Sequence, residues 1–156
     1  MNNPENDILI RLEGLTHTFS DGRTGIRKIS LVLRKKEFVI LAGKNGSGKT
    51  TLLRHLNGLL EPDSGKITVN GMPVSNHLTF VRQTVGMVFQ DPDTQMVADT
   101  VFDETAFGLE NLQKDRATIL EKVNRVLTQL NLIHLKDRHP ATLSGGEKRK
   151  LAIAGV

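Results

Sequence analysis

Cysteine is absent from the 156 residues, which excludes disulfides and thiolate metal centres. That absence suits a reducing compartment. Long apolar runs are missing as well. The longest, FVILAG from Phe38 to Gly43, is strand-sized, whereas a membrane helix needs about 18 residues. The opening MNNPENDILIRL is polar and acidic, without the basic start and apolar stretch of a secretory signal. Neither an internal repeat nor a low-complexity segment is present. What is there suits a soluble chain with one domain-sized core. A hydrophobic fraction of 38% with charges of both signs argues against disorder. The net charge of +4 and a pI near 9.6 permit nucleotide, nucleic acid or lipid headgroups as partners. They do not choose among these, because the basic residues are scattered.

The first part reads as β. ILIRLEGL and ISLVL are rich in branched apolar residues, with the turn SDGRTG (Ser20 to Gly25) between them. KITVNGM (Lys66 to Met72) is a short strand running into Asn-Gly, a hairpin signal. VGMVFQ (Val85 to Gln90) is a further apolar strand by the same criteria. EFVILAG is almost continuously apolar, as expected of a strand buried on both faces of a parallel sheet. A glycine-rich turn follows it, and then TTLLRHLNGLL, which places Leu52, Leu53, Leu56 and Leu59 on one helical face. Later, Ile119, Leu120, Val123, Val126, Leu127 and Leu130 recur at helical spacing, with Asp115 as the cap. Pro140 keeps that helix from running onward.

The turn GKNGSGKT, Gly43 to Thr50, fits G-x-x-x-x-G-K-[ST] at every fixed position and has a strand before it and a helix after it. Glycines at 43, 46 and 48 let successive N–H groups point inward at phosphate oxygens. The helix adds its positive end to that nest. Lys49 would reach the β- and γ-phosphates, and the Thr50 hydroxyl would ligate Mg²⁺. A chance glycine turn explains less, given the flanking pattern.

Three further stretches carry a family resemblance. LSGGE (Leu143 to Glu147) resembles the signature motif of ABC ATPases, at the expected long distance after the glycine turn. VFQDPDTQ (Val88 to Gln95) resembles the Q-loop of that superfamily, with Gln90 as its glutamine. Phe19 stands where the family carries an aromatic, usually tyrosine, that stacks on adenine. The matches span essentially the whole chain. FQDPDTQ followed by TVFDETAFGLENL (Thr100 to Leu112), and LAIAGV after the signature, are similar to ATPases of energy-coupling-factor importers, the cobalt, nickel and vitamin type. The resemblance implies an α/β P-loop fold of the ABC ATPase type: an antiparallel β subdomain on a mainly parallel core sheet, plus a helical subdomain. Residues 1–90 would form the β subdomain and phosphate-loop core. Residues 91–156 would hold the Q-loop, the helical subdomain and the signature helix.

It also implies roles. Lys49 and the backbone from Asn45 through Gly46, Ser47, Gly48 and Thr50 to Thr51 would hold ATP phosphates, with Thr50 on Mg²⁺. Gln90 would touch the metal and the attacking water and report nucleotide state to a transmembrane partner. Ser144, Gly145 and Gly146 would contact the γ-phosphate held by a second ATPase subunit, identical or paralogous, arranged head to tail. The protein would then sit at the inner face of the cell membrane, in the cytoplasm.

Bland readings stand beside these. Ser-Gly-Gly alone is a helix cap, and Phe19 could pack inward as an ordinary strand residue. KRK (Lys148 to Lys150) reads as a solvated helix face and not a nucleic-acid patch. The five histidines show no metal-ligand spacing and read as surface or capping residues, and Met72, Met87 and Met96 as packing residues. Phe102 and Phe107 fit either a helix near the transporter contact or plain core packing.

The family places an apolar strand ending in Asp-Glu after the signature helix, then an Asp-containing loop and a switch histidine. None occurs before Val156, and Asp103 and Glu104 in VFDET stand in the wrong place. The 156 residues are therefore expected to be the front portion of such an ATPase, or a shortened product. Turnover would fall by at least ~10²-fold without the glutamate that polarises water. Three functions follow: an importer's ATP-binding subunit, a nucleotide-binding remnant without catalysis, or a soluble ABC ATPase of translation or DNA repair. The last usually carries two cassettes or long insertions, and neither is seen.

Overall fold

Alternation of apolar and polar residues along ILIRLEGLTHT produces the long strand β1 (Ile8–Thr18) in the computed structural model, which describes residues 7–156. It pairs antiparallel with β2 (Thr24–Arg34) on one side and β3 (Ser64–Val69) on the other. Ile10 and Leu12 fall on the buried face. The alternation then slips by one, and Leu15 is buried instead of residue 14. A register irregularity between Leu12 and Leu15 absorbs the extra residue, with Gly14 at φ 59 and its N–H donated to the Ser30 hydroxyl at 2.9 Å. The Asn70-Gly71 pair, at φ 47 and 78, makes the tight primed turn into β4 (Met72–Pro73). The resulting four-stranded sheet runs β2-β1-β3-β4.

The chain divides into two compact units, one up to Gly86 and one from Met87 to Val156. In the first, helix α1 (Lys49–Leu56) and helix α2 (Leu78–Thr84) share a core with the sheet, built on Leu12, Leu15, Leu52, Leu56, Val69 and Val81. Only half of the expected leucine face of α1 is buried. Leu52 and Leu56 point inward, whereas Leu53 and Leu59 remain 46% and 44% exposed. The helix stops at Asn57, and Gly58 at φ 70 turns the chain, so Leu59 lies past its end.

Two expected strands do not form. Phe38–Gly43 and Val85–Gln90 are irregular, and Phe38 and Ile40 are 89% and 76% exposed. A strand buried on both faces exists only beside parallel neighbours. The sheet among the described residues is antiparallel throughout and offers it none.

The second unit is helical. Helices α3 (Val101–Asn111), α4 (Arg116–Gln129) and α5 (Gly145–Ala154) enclose Val101, Ala106, Val123, Leu127, Leu132 and Leu151. Phe102 packs against this core, but Phe107 is exposed. Asp115 caps α4 by accepting the Thr118 N–H at 2.9 Å. Pro140 opens a short 3₁₀ turn, and His139 caps that turn by accepting the Ala141 N–H at 3.1 Å. No helix among the described residues is long and apolar enough to cross a membrane.

Candidate nucleotide site

The first unit carries the glycine turn between Gly43 and the start of α1. Gly46 and Gly48 lie at φ 81 and 87, in the left-handed region that an L side chain resists. Gly48 is constrained twice: a Cβ there would sit 2.4 Å from the Gly25 carbonyl oxygen and 2.9 Å from Ile26 Cγ2. The phosphate loop therefore enters α1 with its backbone pressed onto β2. Gly48 serves as N-cap without any side-chain bond, so the first-turn N–H groups have no acceptor within the helix. Lys49 folds back over the loop and donates from Nζ to the carbonyls of Gly43 and Lys44, both at 2.8 Å. Asn45, Ser47 and Thr50 line an exposed stretch of the turn.

Phe19 stands beside this helix. A Cβ on Gly25 would lie 2.9 Å from Phe19 Cε2 and 3.1 Å from Thr51 Cγ2, so the ring and the threonine methyl share the hollow that glycine leaves. The ring stays 37% exposed and meets His17 in a T-shaped contact with centroids 5.0 Å apart. Behind His17 lies His55, at 4.8 Å and again edge to face. His17 and His55 are both buried, which corrects the expectation of surface histidines. Their position on the inward faces of β1 and α1 decides this, and ring spacing along the chain carries no sign of it. His55 Nδ1 donates to the Thr51 carbonyl at 2.7 Å, and His17 Nδ1 donates to the Glu61 carbonyl at 3.1 Å. Desolvation holds the His55 pKa below its ordinary value, with the neighbouring His17 acting in the same direction. Met72, expected to pack, is exposed on the two-residue edge strand β4.

The second unit holds the other candidates. Gln90 is exposed in irregular backbone. The turn that follows it is built from its own side chains, with Asp91 accepting the Asp93 N–H at 3.1 Å. Gln95 Oε1 accepts the Phe89 N–H at 3.1 Å, and Lys148 Nζ of α5 pairs with Asp93 at 2.6 Å. Lys148 is thus a partner of the turn that follows Gln90, not a solvated charge. Ser144 caps α5 in a full capping box: its N–H and its hydroxyl each donate to Glu147 Oε2 at 2.7 Å. Those bonds hold the Glu147 carboxyl below its ordinary pKa, the hydroxyl contributing most. A Cβ on Gly145 or Gly146 would meet nothing within 4 Å, so neither glycine is required by packing.

Glu104 stands in the wrong place to replace the family's Asp-Glu pair, and the structure gives it other work. The residue is buried, and Oε2 accepts the N–H groups of Val97 and Ala98, both at 2.8 Å. Its buried place on α3, set by tertiary packing, could not be read from VFDET.

An antiparallel sheet feeding a glycine turn into a helix, and a helical unit whose signature helix is capped by Ser144, define the P-loop NTPase fold of the ABC ATPase type. The chain belongs to the ABC transporter family, whose profile matches residues 26–156. It is 43% identical over 150 residues to the energy-coupling factor transporter ATP-binding protein EcfA of Methanosarcina acetivorans, covering 95% of this chain and 55% of that protein. EcfA of Carboxydothermus hydrogenoformans is 38% identical over 151 residues, covering 96% and 56%. Among solved structures, cbiO1 of Clostridium perfringens, part of the ABC transporter complex cbiONQ, superposes with a TM-score of 0.84 at 34% identity, covering 96% of this chain and 61% of that one. The chain thus spans about half the length of the curated relatives it matches.

Proposed function

We propose that the chain supplies the ATP-binding portion of an energy-coupling-factor type ABC importer, one that couples ATP binding and hydrolysis to uptake of a metal ion or vitamin. The observation that carries the reading is the turn Gly43–Thr50, whose Gly48 is seated under β2 at φ 87 and whose Lys49 ammonium already spans the loop. Unpaired amides at a helix start, a mobile cation and glycine backbone together suit a triphosphate tail.

In this reading Lys49 leaves the Gly43 and Lys44 carbonyls for phosphate oxygens. Gly43 and the amides from Asn45 to Thr51 hold the remaining charge, and Phe19 stacks on adenine from its seat on Gly25. Thr50 of the first unit and, separately, Gln90 of the second are the residues that would hold Mg²⁺. Among the described residues no cluster of three or more His, Cys, Asp or Glu forms a separate metal centre, so the ion would rest largely on phosphate oxygens. When bound, it neutralises phosphate charge. Gly145 and Gly146 at the start of α5, and Ser144 on release from Glu147, suit the γ-phosphate of a second ATPase subunit arranged head to tail. A transmembrane subunit is the partner, which places the protein peripherally at the cytoplasmic membrane face.

Titration with Mg-ATP tests the reading. Saturable binding is expected, weakened at least about tenfold in Lys49→Ala by loss of a charge-assisted contact. ATP binding that ignores the substitution would overturn it. Binding without turnover by residues 7–156 is the second reading, favoured by the commitment of Glu104 to two backbone amides. Lys49-dependent phosphate release would eliminate that option.

A further inference from the structure

Phe19, His17 and His55 form a continuous column of rings from the exposed edge of β1 to the interior of α1, with successive centroids 5.0 and 4.8 Å apart. The inner ring has an unusual environment. Its Nδ1 is committed to the Thr51 carbonyl, and because a carbonyl only accepts, the proton must sit on Nδ1. Nε2 is then a bare lone pair, fully buried and without any partner. The same logic places the His17 proton on Nδ1, facing the Glu61 carbonyl. The inner ring therefore presents a buried Nε2 with no hydrogen-bond partner of its own.

Resting on the nucleotide-site reading above, we propose that His17 and His55 are positioning residues for base recognition: as a neutral ring column they hold Phe19 against the adenine, and protonation of His55 withdraws that support. A proton added at Nε2 would create a buried cation beside a second imidazole. The groups facing His55 are His17 from β1, and the Glu61 carbonyl and the Asp63 carboxylate from the segment before β3. Asp63 opposes the effect, but its Oδ2 already accepts the Thr18 N–H at 2.7 Å. The balance lies with desolvation, which lowers the His55 pKa. Once charged, His55 must shift outward and abandon its edge contact with His17. His17 in turn is the aromatic neighbour that sets the plane of Phe19, 87° from its own. The triphosphate grip at Gly43–Thr50 does not pass through these rings, so only the base contact is sensitive.

The test compares Mg-ATP with Mg-tripolyphosphate, which shares the triphosphate chain but lacks the base; each ligand's own titration is removed by comparing the natural chain with His55→Gln. Affinity is measured between pH 7.5 and 5.5. For the natural chain, ATP binding should weaken more steeply than tripolyphosphate binding as pH falls, with about tenfold, the scale of one base–aromatic stack, as the ceiling reached only where His55 is fully charged. In His55→Gln, which can still donate to the Thr51 carbonyl but does not titrate, the extra pH dependence of ATP should be lost. His17→Phe preserves an aromatic edge and should weaken ATP less than His17→Ala does, with tripolyphosphate unchanged in both. Equal pH dependence for the two ligands, or a dependence that survives His55→Gln, overturns the inference while leaving the nucleotide site intact. Failure of both ligands to bind at pH 7.5 removes the site reading itself, and the inference with it.

Discussion

Gly48 and Gly25 touch through backbone alone: a methyl group added at Gly48 would lie 2.4 Å from the Gly25 carbonyl oxygen. The contact fixes where α1 starts relative to β2, and with it the mouth of the phosphate loop. Gly46 shares the left-handed conformation, at φ 81, but has nothing within 4 Å of the same imaginary methyl. Gly46→Ala should therefore lose only backbone strain, about 1–2 kcal/mol. Gly48→Ala adds a clash with main chain that cannot step aside, and should lower the urea midpoint clearly further. Equal midpoints for the two variants would contradict the packing described here.

Glu104 gives a second prediction. One carboxylate oxygen satisfies two part-buried amides, those of Val97 and Ala98. Glu104→Ala removes both bonds, at about 1 kcal/mol each, whereas Glu104→Gln retains an acceptor oxygen. Urea denaturation should rank them natural chain, Gln, Ala in falling stability. Hydrogen exchange at Val97 and Ala98 should accelerate most in the alanine variant.

The pH dependence of stability separates the two units. His55 has a depressed pKa when folded, so the unfolded chain takes up its proton first, near the ordinary 6.5. Its contribution is complete above that value and declines as pH falls through the lower folded pKa. Glu147 and Asp115 are also depressed, from ordinary values of 4.5 and 3.8, by hydrogen bonds from Ser144 and Thr118 respectively. Their contributions are complete above those values and are lost only in stronger acid. Thermal melts followed at pH 7.5, 5.5 and 3 should show the first unit weakening before the second. In His55→Gln the change between 7.5 and 5.5 should shrink.

The apolar ribbon at residues 38–41 supplies a fourth prediction. Phe38 and Ile40 are 89% and 76% exposed in unpaired backbone, an arrangement that invites pairing with another chain. The 156-residue chain should self-associate with rising concentration, and Ile40→Lys should suppress this without altering the melt. Light scattering that is unchanged by Ile40→Lys would show association to run through some other surface.

What could be read from the residues alone depended on how locally each feature is determined. The Asn70-Gly71 turn, the Asp115 cap and the Gly43–Thr50 loop are set by neighbours within a few positions, and each stands where its motif predicts. Phe38–Gly43 fails as a strand because a parallel strand depends on partners distant in sequence. Leu59 misses the α1 face because Gly58 ends the helix earlier than the leucine spacing suggests. The burial of His17, His55 and Glu104 is illegible for a different reason. Their burial is created by packing between elements, and no periodicity in the chain distinguishes a hidden imidazole or carboxylate from a solvated one.

Lys49 occupies the pocket mouth before any guest arrives, its ammonium shared between two carbonyls of its own loop. The loop is thus already inhibited by an internal rival, and any incoming anion has to displace it. Measured affinity will report the difference between two grips of the same cation, so weakening the inner one sharpens the outer.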